Sequence, residues 1–95
     1  MSRSRRGSEA AGDVRESSEW PIVQDAIARA AGISSQTIDP KADLLMELQM
    51  DSLAVFEVAI DLEAAYDMKI PDEEIEELST AEDVVRYIEA RLADD

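Results

Sequence analysis

The sequence predicts an all-α domain, a four-helix bundle of three main helices and one short one. Three observations lead there: apolar residues recur at three-to-four spacing in three separate segments, proline, glycine and capping residues bound those segments, and no segment shows sustained alternation with β-branched enrichment. Ninety-five residues without internal repeats fit one domain, large enough for a modest core but near the size where burial becomes marginal.

Residues 1–18 are rich in Ser, Arg, Gly and Ala and hold one sizeable aliphatic, Val14, so they bury too little to offset their ordering entropy. They are expected to form a disordered tail, leaving residues 19–95 as the folded domain. Pro21 suits a first helical position, and Val23, Ala26, Ile27 and Ala30 repeat at helical spacing until Gly32 supplies a stop, which predicts a helix over 21–31. Residues 33–50 carry a Ser-Ser pair, Asp39-Pro40 and LLMEL, and this mixture reads as a long loop. A loop of that length inside a small domain is uncommon unless it is functional or pinned, and Leu44, Leu45 and Leu48 are the candidate pins.

Asp51 or Ser52 can cap a second helix reaching about Asp67, along which Val55, Ala59, Leu62 and Tyr66 form one apolar stripe with Val58 beside it. Ile70-Pro71 forces extended backbone before the proline, and Asp72-Glu73-Glu74 then opens a short acidic helix holding Ile75 and Leu78. Ser79-Thr80 with Glu82 and Asp83 makes a capping signal for the last helix, whose inner face is Ala81, Val84, Val85, Ile88 and Leu92.

Charge narrows the function. Twenty-three acids against nine bases, with no histidine, give a net charge of −14. The first 18 residues hold four arginines against Glu9, Asp13 and Glu16, a net +1, so the other 77 carry −15. Such a field repels phosphate backbones and anionic membranes and attracts basic protein surfaces. Neither nucleic acid nor membrane is expected as a partner. With no cysteine there is no disulfide framework or thiolate metal site, and no apolar run approaches a membrane span. Arg5-Arg6 is followed by Gly7-Ser-Glu-Ala-Ala-Gly-Asp13 where an export signal needs an apolar stretch, so a cytoplasmic protein is expected.

Between Lys41 and Lys69 there is no base, while Asp43, Glu47, Asp51, Glu57, Asp61, Glu63 and Asp67 accumulate. Glu57/Asp61 and Glu63/Asp67 stand four apart, and such like-charge pairs cost a helix about 0.2–0.5 kcal/mol each. The series is either a solvated face or a docking strip for basic partners. It is no calcium loop, because Tyr66 falls where that loop needs glycine.

The stretch LQMDSLAVFE sets Ser52 at the start of the second helix. A nucleophilic serine needs an adjacent base, and without histidine only Lys41 or Lys69 could serve, with no oxyanion motif near either. No catalytic residue and no metal site is therefore assigned. Ser52 is either a helix cap or a hydroxyl that another enzyme modifies, for which a helix N-terminus is well suited when a phosphate is attached.

Asp51-Ser52-Leu53, the acid Glu57, the helix ending Tyr66-Asp67, the loop DLLMEL and Ile70-Pro71-Asp72-Glu73-Glu74 together resemble an acyl carrier protein over about residues 21–92. The resemblance implies a carrier-type four-helix bundle whose Ser52 receives 4′-phosphopantetheine from coenzyme A through a Mg²⁺-dependent phosphopantetheinyl transferase. It implies thioester-bound acyl cargo and a terminal thiol supplied by the prosthetic group, which explains why no cysteine is needed. Acyl-loading, condensing and tailoring enzymes with basic docking surfaces are the implied partners, and a monomer the implied state. The family's recognition pattern maps onto Asp51, Leu53, Phe56, Glu57 and Glu63 of the second helix, with Glu73 and Glu74 of the third segment.

Two positions depart from the pattern. Gln49 stands three residues before the serine where glycine is usual, and Phe56 is bulkier than the usual aliphatic. Asp51 before the serine favours an acyl over a peptidyl carrier, and the departures together with the Arg/Ser tail favour polyketide or other specialised-metabolite biosynthesis over primary fatty-acid synthesis. An acidic helical adaptor with Ser52 only a cap is the alternative of another class.

Overall fold

The computed structural model describes residues 13–94. Its helices are α1 (Trp20–Ala31), α2 (Ser52–Tyr66), the short α3 (Asp72–Ile75) and α4 (Ala81–Asp94), with 3-10 turns at Val14–Glu16 and Ser35–Thr37. Helix α1 packs against α2 and α4, and α3 against α2. The expected all-α bundle is the fold, with no strand among the described residues.

The helix boundaries follow local chemistry. Helix α1 buries Trp20, Val23, Ala26 and Ile27, and ends at Gly32, whose φ of 72° and N–H bond to the Ala28 carbonyl at 2.8 Å make a left-handed cap. Helix α2 buries Val58, Ala59 and Leu62 and ends at Asp67, also left-handed at φ 54°, a conformation aspartate tolerates. Helix α4 begins with a reciprocal capping box: the Asp83 carboxylate accepts from the Ser79 and Thr80 amides at 3.0 and 3.1 Å, and the Thr80 hydroxyl accepts from the Asp83 amide at 3.1 Å. Glu82, the other residue of that signal, pairs instead with Lys41 at 3.0 Å. Leu78 lies beyond α3, half-buried, and Leu92 is 37% exposed, off the core face expected for it.

The long loop is pinned, by two of the three residues expected and by three others. Ile38, Ala42, Leu44 and Met50 are buried and Leu48 is half-buried, whereas Leu45 points outward at 52% exposure. Backbone bonds complete the anchoring. The Leu44 amide donates to Ser79 O and the Glu82 amide to Pro40 O, both at 2.8 Å, around an isolated bridge between Asp43 and Thr80. The loop is thereby tied to the start of α4, and the residues just before α2 inherit that rigidity.

Residues 13–18, placed in the expected tail, belong to the packed domain. Val14 is 1% exposed in the core, and its 3-10 turn packs on α1 and α4. Asp13 caps that turn by accepting from the Arg15 amide at 2.9 Å, and the Trp20 amide bonds to Ser17 O at 3.1 Å. The remainder of the expected tail, residues 1–12, lies outside the described residues, as does residue 95.

Two tyrosines close the bundle's polar seams. The Tyr66 hydroxyl donates to Glu19 Oε1 at 2.6 Å, linking the end of α2 to the start of α1. Burial and this bond push the Tyr66 phenol up from its ordinary value. A phenol raised in the folded state contributes stability that is complete below its unfolded value near pH 10 and is lost as pH rises above it. Urea unfolding at pH 11 should therefore show a loss relative to pH 8 that Tyr66→Phe reduces, and that variant should cost about 1 kcal/mol at pH 8. An identical alkaline loss in the variant would remove Tyr66 as the cause.

Candidate functional site

Asp51, and not Ser52, caps α2. Asp51 is extended (φ −90°, ψ 174°), and its Oδ1 accepts from the Ala54 amide at 2.8 Å. Ser52 is thus the first helical residue, solvent-exposed, and its hydroxyl makes no hydrogen bond among the described residues. The cap role is filled by its neighbour, which leaves the serine oxygen spare at the positive end of a 15-residue helix.

The residue types expected around Ser52 divide into two groups. Leu53 is 67% exposed, and Asp51 and Glu57 are also exposed, so these three stand with Ser52 on the first two turns. Phe56 is half-buried: it packs on the core and also lines a groove of about 120 Å³ shared with Ser52, Leu45, Val55, Ile75 and Leu78. Glu63 lies eleven residues from Ser52, roughly 16 Å along the helix, and its carboxylate accepts from the Ile70 amide at 2.7 Å. Glu73 is exposed on α3, whereas Glu74 accepts from the Tyr87 hydroxyl, which itself receives a bond from Arg91 Nη1 at 2.7 Å. Glu63 and Glu74 therefore serve the fold directly, holding the α2–α3 connection and the α3–α4 seam.

The structure adds Leu45 and Met46, 52% and 77% exposed, on the loop that leads to Ser52. Their signal in the sequence is the run Leu44-Leu45-Met46, too apolar for a loop that buries only its first member. They stay out because the Asp43 carboxylate accepts from the amides of both, at 3.0 and 2.9 Å, turning the chain outward.

Gln49 holds φ at 57°, in the left-handed region where a glycine would be unstrained. The strain is local to the approach to Ser52, between the buried Leu44–Met50 hydrogen bond of 3.0 Å and the Asp51 cap. Left-handed backbone costs a non-glycine residue about 1–2 kcal/mol, while glycine adds about 0.4–1 kcal/mol of unfolded-chain entropy. Gln49→Gly should therefore stabilise by about 0.5–1 kcal/mol, a rise of roughly 2–8 °C in a thermal melt. A lower melting temperature would show that Gln49 makes compensating contacts.

Among the described residues no helix is long and apolar enough to cross a membrane, and no three metal-ligating side chains are grouped to hold an ion. The family model described as "Phosphopantetheine attachment site" matches residues 21–88. The acyl carrier protein of Syntrophobacter fumaroxidans is 38% identical over 66 residues, 70% of this chain and 82% of the relative. That of Exiguobacterium sp. is 41% identical over 70 residues, 74% and 89% of the two chains. The meromycolate extension acyl carrier protein of Mycobacterium leprae is 37% identical over 67 residues, 70% and 58% of the two. A spare, exposed hydroxyl opening an acidic helix, inside a chain that matches these relatives over most of its folded length, is decisive: the chain belongs to the acyl carrier proteins, carriers with no catalysis of their own that bear covalent 4′-phosphopantetheine.

Proposed function

We propose that Ser52 is the residue to which the phosphopantetheine is attached and that the domain carries acyl groups as thioesters on that arm. The observation that carries this is the division of labour at the start of α2, where Asp51 takes the cap and the Ser52 oxygen keeps no partner. The surroundings fit the group. A phosphodiester on Ser52 would lie against the free amides of the first helical turn, which favour anions, and the Leu45–Phe56 groove offers apolar surface beside it. When bound, the arm supplies the thiol that this cysteine-free chain lacks.

The chain's own residues present the site. Asp51 and Glu57 offer carboxylates, and Leu53 an apolar side chain, to a phosphopantetheinyl transferase and then to acyl-loading, condensing and tailoring enzymes with basic surfaces. Glu73 extends this acidic face from α3. Phe56 contributes only its groove edge, and Glu63 and Glu74 act through the fold they stabilise. A cytoplasmic setting, where coenzyme A is available, goes with this role. Gln49 and Phe56, both off the family pattern, favour a carrier of polyketide or other specialised-metabolite biosynthesis over one of primary fatty-acid synthesis. An adaptor with Ser52 as a cap is disfavoured because Asp51 already fills that role.

The test is direct. Incubation with a phosphopantetheinyl transferase, coenzyme A and Mg²⁺ should raise the intact mass by one phosphopantetheine, and no increment would sink the carrier role of Ser52. Charge reversal by Glu57→Lys should raise the transferase KM several-fold without lowering the melting temperature, and an unchanged KM would remove Glu57 from the docking face.

A further inference from the structure

Asp61 belongs to the acidic series of α2, yet it is not presented as a free carboxylate. Its Oδ2 accepts from Arg29 Nη2 of α1 at 3.1 Å, and Arg29 also pairs with Asp25 one turn back on α1. The hydrogen bond to Asp61 is the main cause that raises the guanidinium above its ordinary value. Arg29, Glu57, Ile60 and Asp61 flank one surface hollow of about 230 Å³ between the two helices. Ile60, 62% exposed, stands eight residues from Ser52, roughly 12 Å along α2.

A structural role alone does not account for this pairing. Helices α1 and α2 already share the buried apolar core, and exposed ion pairs contribute about 0–1 kcal/mol. The electrostatic consequence is larger in kind: two carboxylates with one guanidinium leave a net −1 where the sequence pattern suggests an open acidic strip.

We propose that Arg29 is a specificity-determining residue of the docking face, one that offsets part of the Asp61 charge and so weights the open acidic surface of α2 towards the Asp51–Glu57 end beside Ser52. The partner it fits is a transferase that sets basic side chains over Asp51 and Glu57, with an apolar group and no further cation over the Ile60 hollow. A surface basic along the whole helix meets the Arg29 guanidinium and is disfavoured. The proposal rests on Ser52 being the loaded residue.

Initial rates of phosphopantetheine loading test it, using the full chain, a transferase whose carrier-binding surface is basic along the whole length of α2, coenzyme A and Mg²⁺ at low salt. Arg29→Ala should lower KM for the carrier about two- to threefold with kcat unchanged, the scale expected of exposed charges. The gain should vanish in high salt, where such charges are screened. Arg29→Lys should keep the wild-type KM, and the double variant Arg29→Ala/Asp61→Asn should return to it. An unchanged or raised KM in Arg29→Ala overturns the proposal, and so does a gain that survives in the double variant. Failure of the wild-type chain to load at all would instead overturn the role of Ser52, an outcome seen before any variant is compared.

Discussion

Ser52→Ala should give a fully folded domain that gains no phosphopantetheine. The two halves of that expectation have separate physical causes. Folding is preserved because the cap belongs to Asp51, whose bond to the Ala54 amide does not involve the serine side chain. Ser52 is exposed and its hydroxyl has no partner among the described residues, so no buried polar group is orphaned. Alanine is also the best helix former, which makes the change neutral to slightly stabilising at a first helical position. Loading, by contrast, loses its only oxygen at this place. Intact mass after transferase treatment should stay at the unmodified value while the circular dichroism melt matches the wild type. A persisting increment would move the attachment to another hydroxyl, and a collapsed melt would make Ser52 a structural residue after all.

The complementary variant sharpens the distinction. Asp51→Ala removes the cap and should cost about 1 kcal/mol, a drop of roughly 4–8 °C, while leaving the Ser52 oxygen in place. Asp51→Ala should thus lower stability and raise the transferase KM while the full phosphopantetheine increment is still reached, and Ser52→Ala should abolish the increment with stability retained. If the two effects were exchanged, the assignment of cap and attachment oxygen would be reversed.

What the sequence makes legible here is what local chemistry controls. The stripes of α1, α2 and α4 follow from helical spacing, Gly32 ends α1 because its backbone must turn left-handed, and Asp51 opens α2 because its carboxylate reaches the Ala54 amide. Gln49 is the most informative local mismatch: glutamine where glycine is usual does sit at positive φ. Illegible features are those fixed by distant partners. Burial of Ile38, Ala42 and Met50 depends on the loop being bonded to the start of α4, and Leu45 and Met46 are turned out by the Asp43 carboxylate. The carboxylates of Glu63, Glu74 and Asp61 look alike in sequence, yet each is claimed by a residue elsewhere, Asp61 by an arginine 32 positions away. Only geometry separates an acid offered to a partner from one used by the fold.

Deleting residues 1–18 should leave the domain about 2 kcal/mol less stable than deleting residues 1–12 alone. The difference lies in Val14. A valine moved from water into a core contributes about 1.5–3 kcal/mol, and Val14 is 1% exposed, with its turn lying on α1 and α4. Ordering the six residues from 13 to 18 works against this, because each fixed residue costs conformational entropy. Part of that cost is met by the Asp13 cap and by the Ser17–Val14 and Trp20–Ser17 backbone bonds of 2.9 and 3.1 Å. Glu89 supplies a further link, since a hydrogen bond with Ser17 is the main cause that holds its carboxyl below the ordinary range. At pH values above that range the ionised Glu89 favours the docked segment, and protonation on acidification should weaken it. Thermal melts of the two truncations at pH 7 should therefore differ by roughly 8–16 °C. Val14→Ala in the full chain should reproduce most of that gap, because it removes the buried methyls and leaves the turn. Equal melting temperatures for the two truncations would place the start of the folded domain at residue 19, with Val14 contributing nothing to its stability.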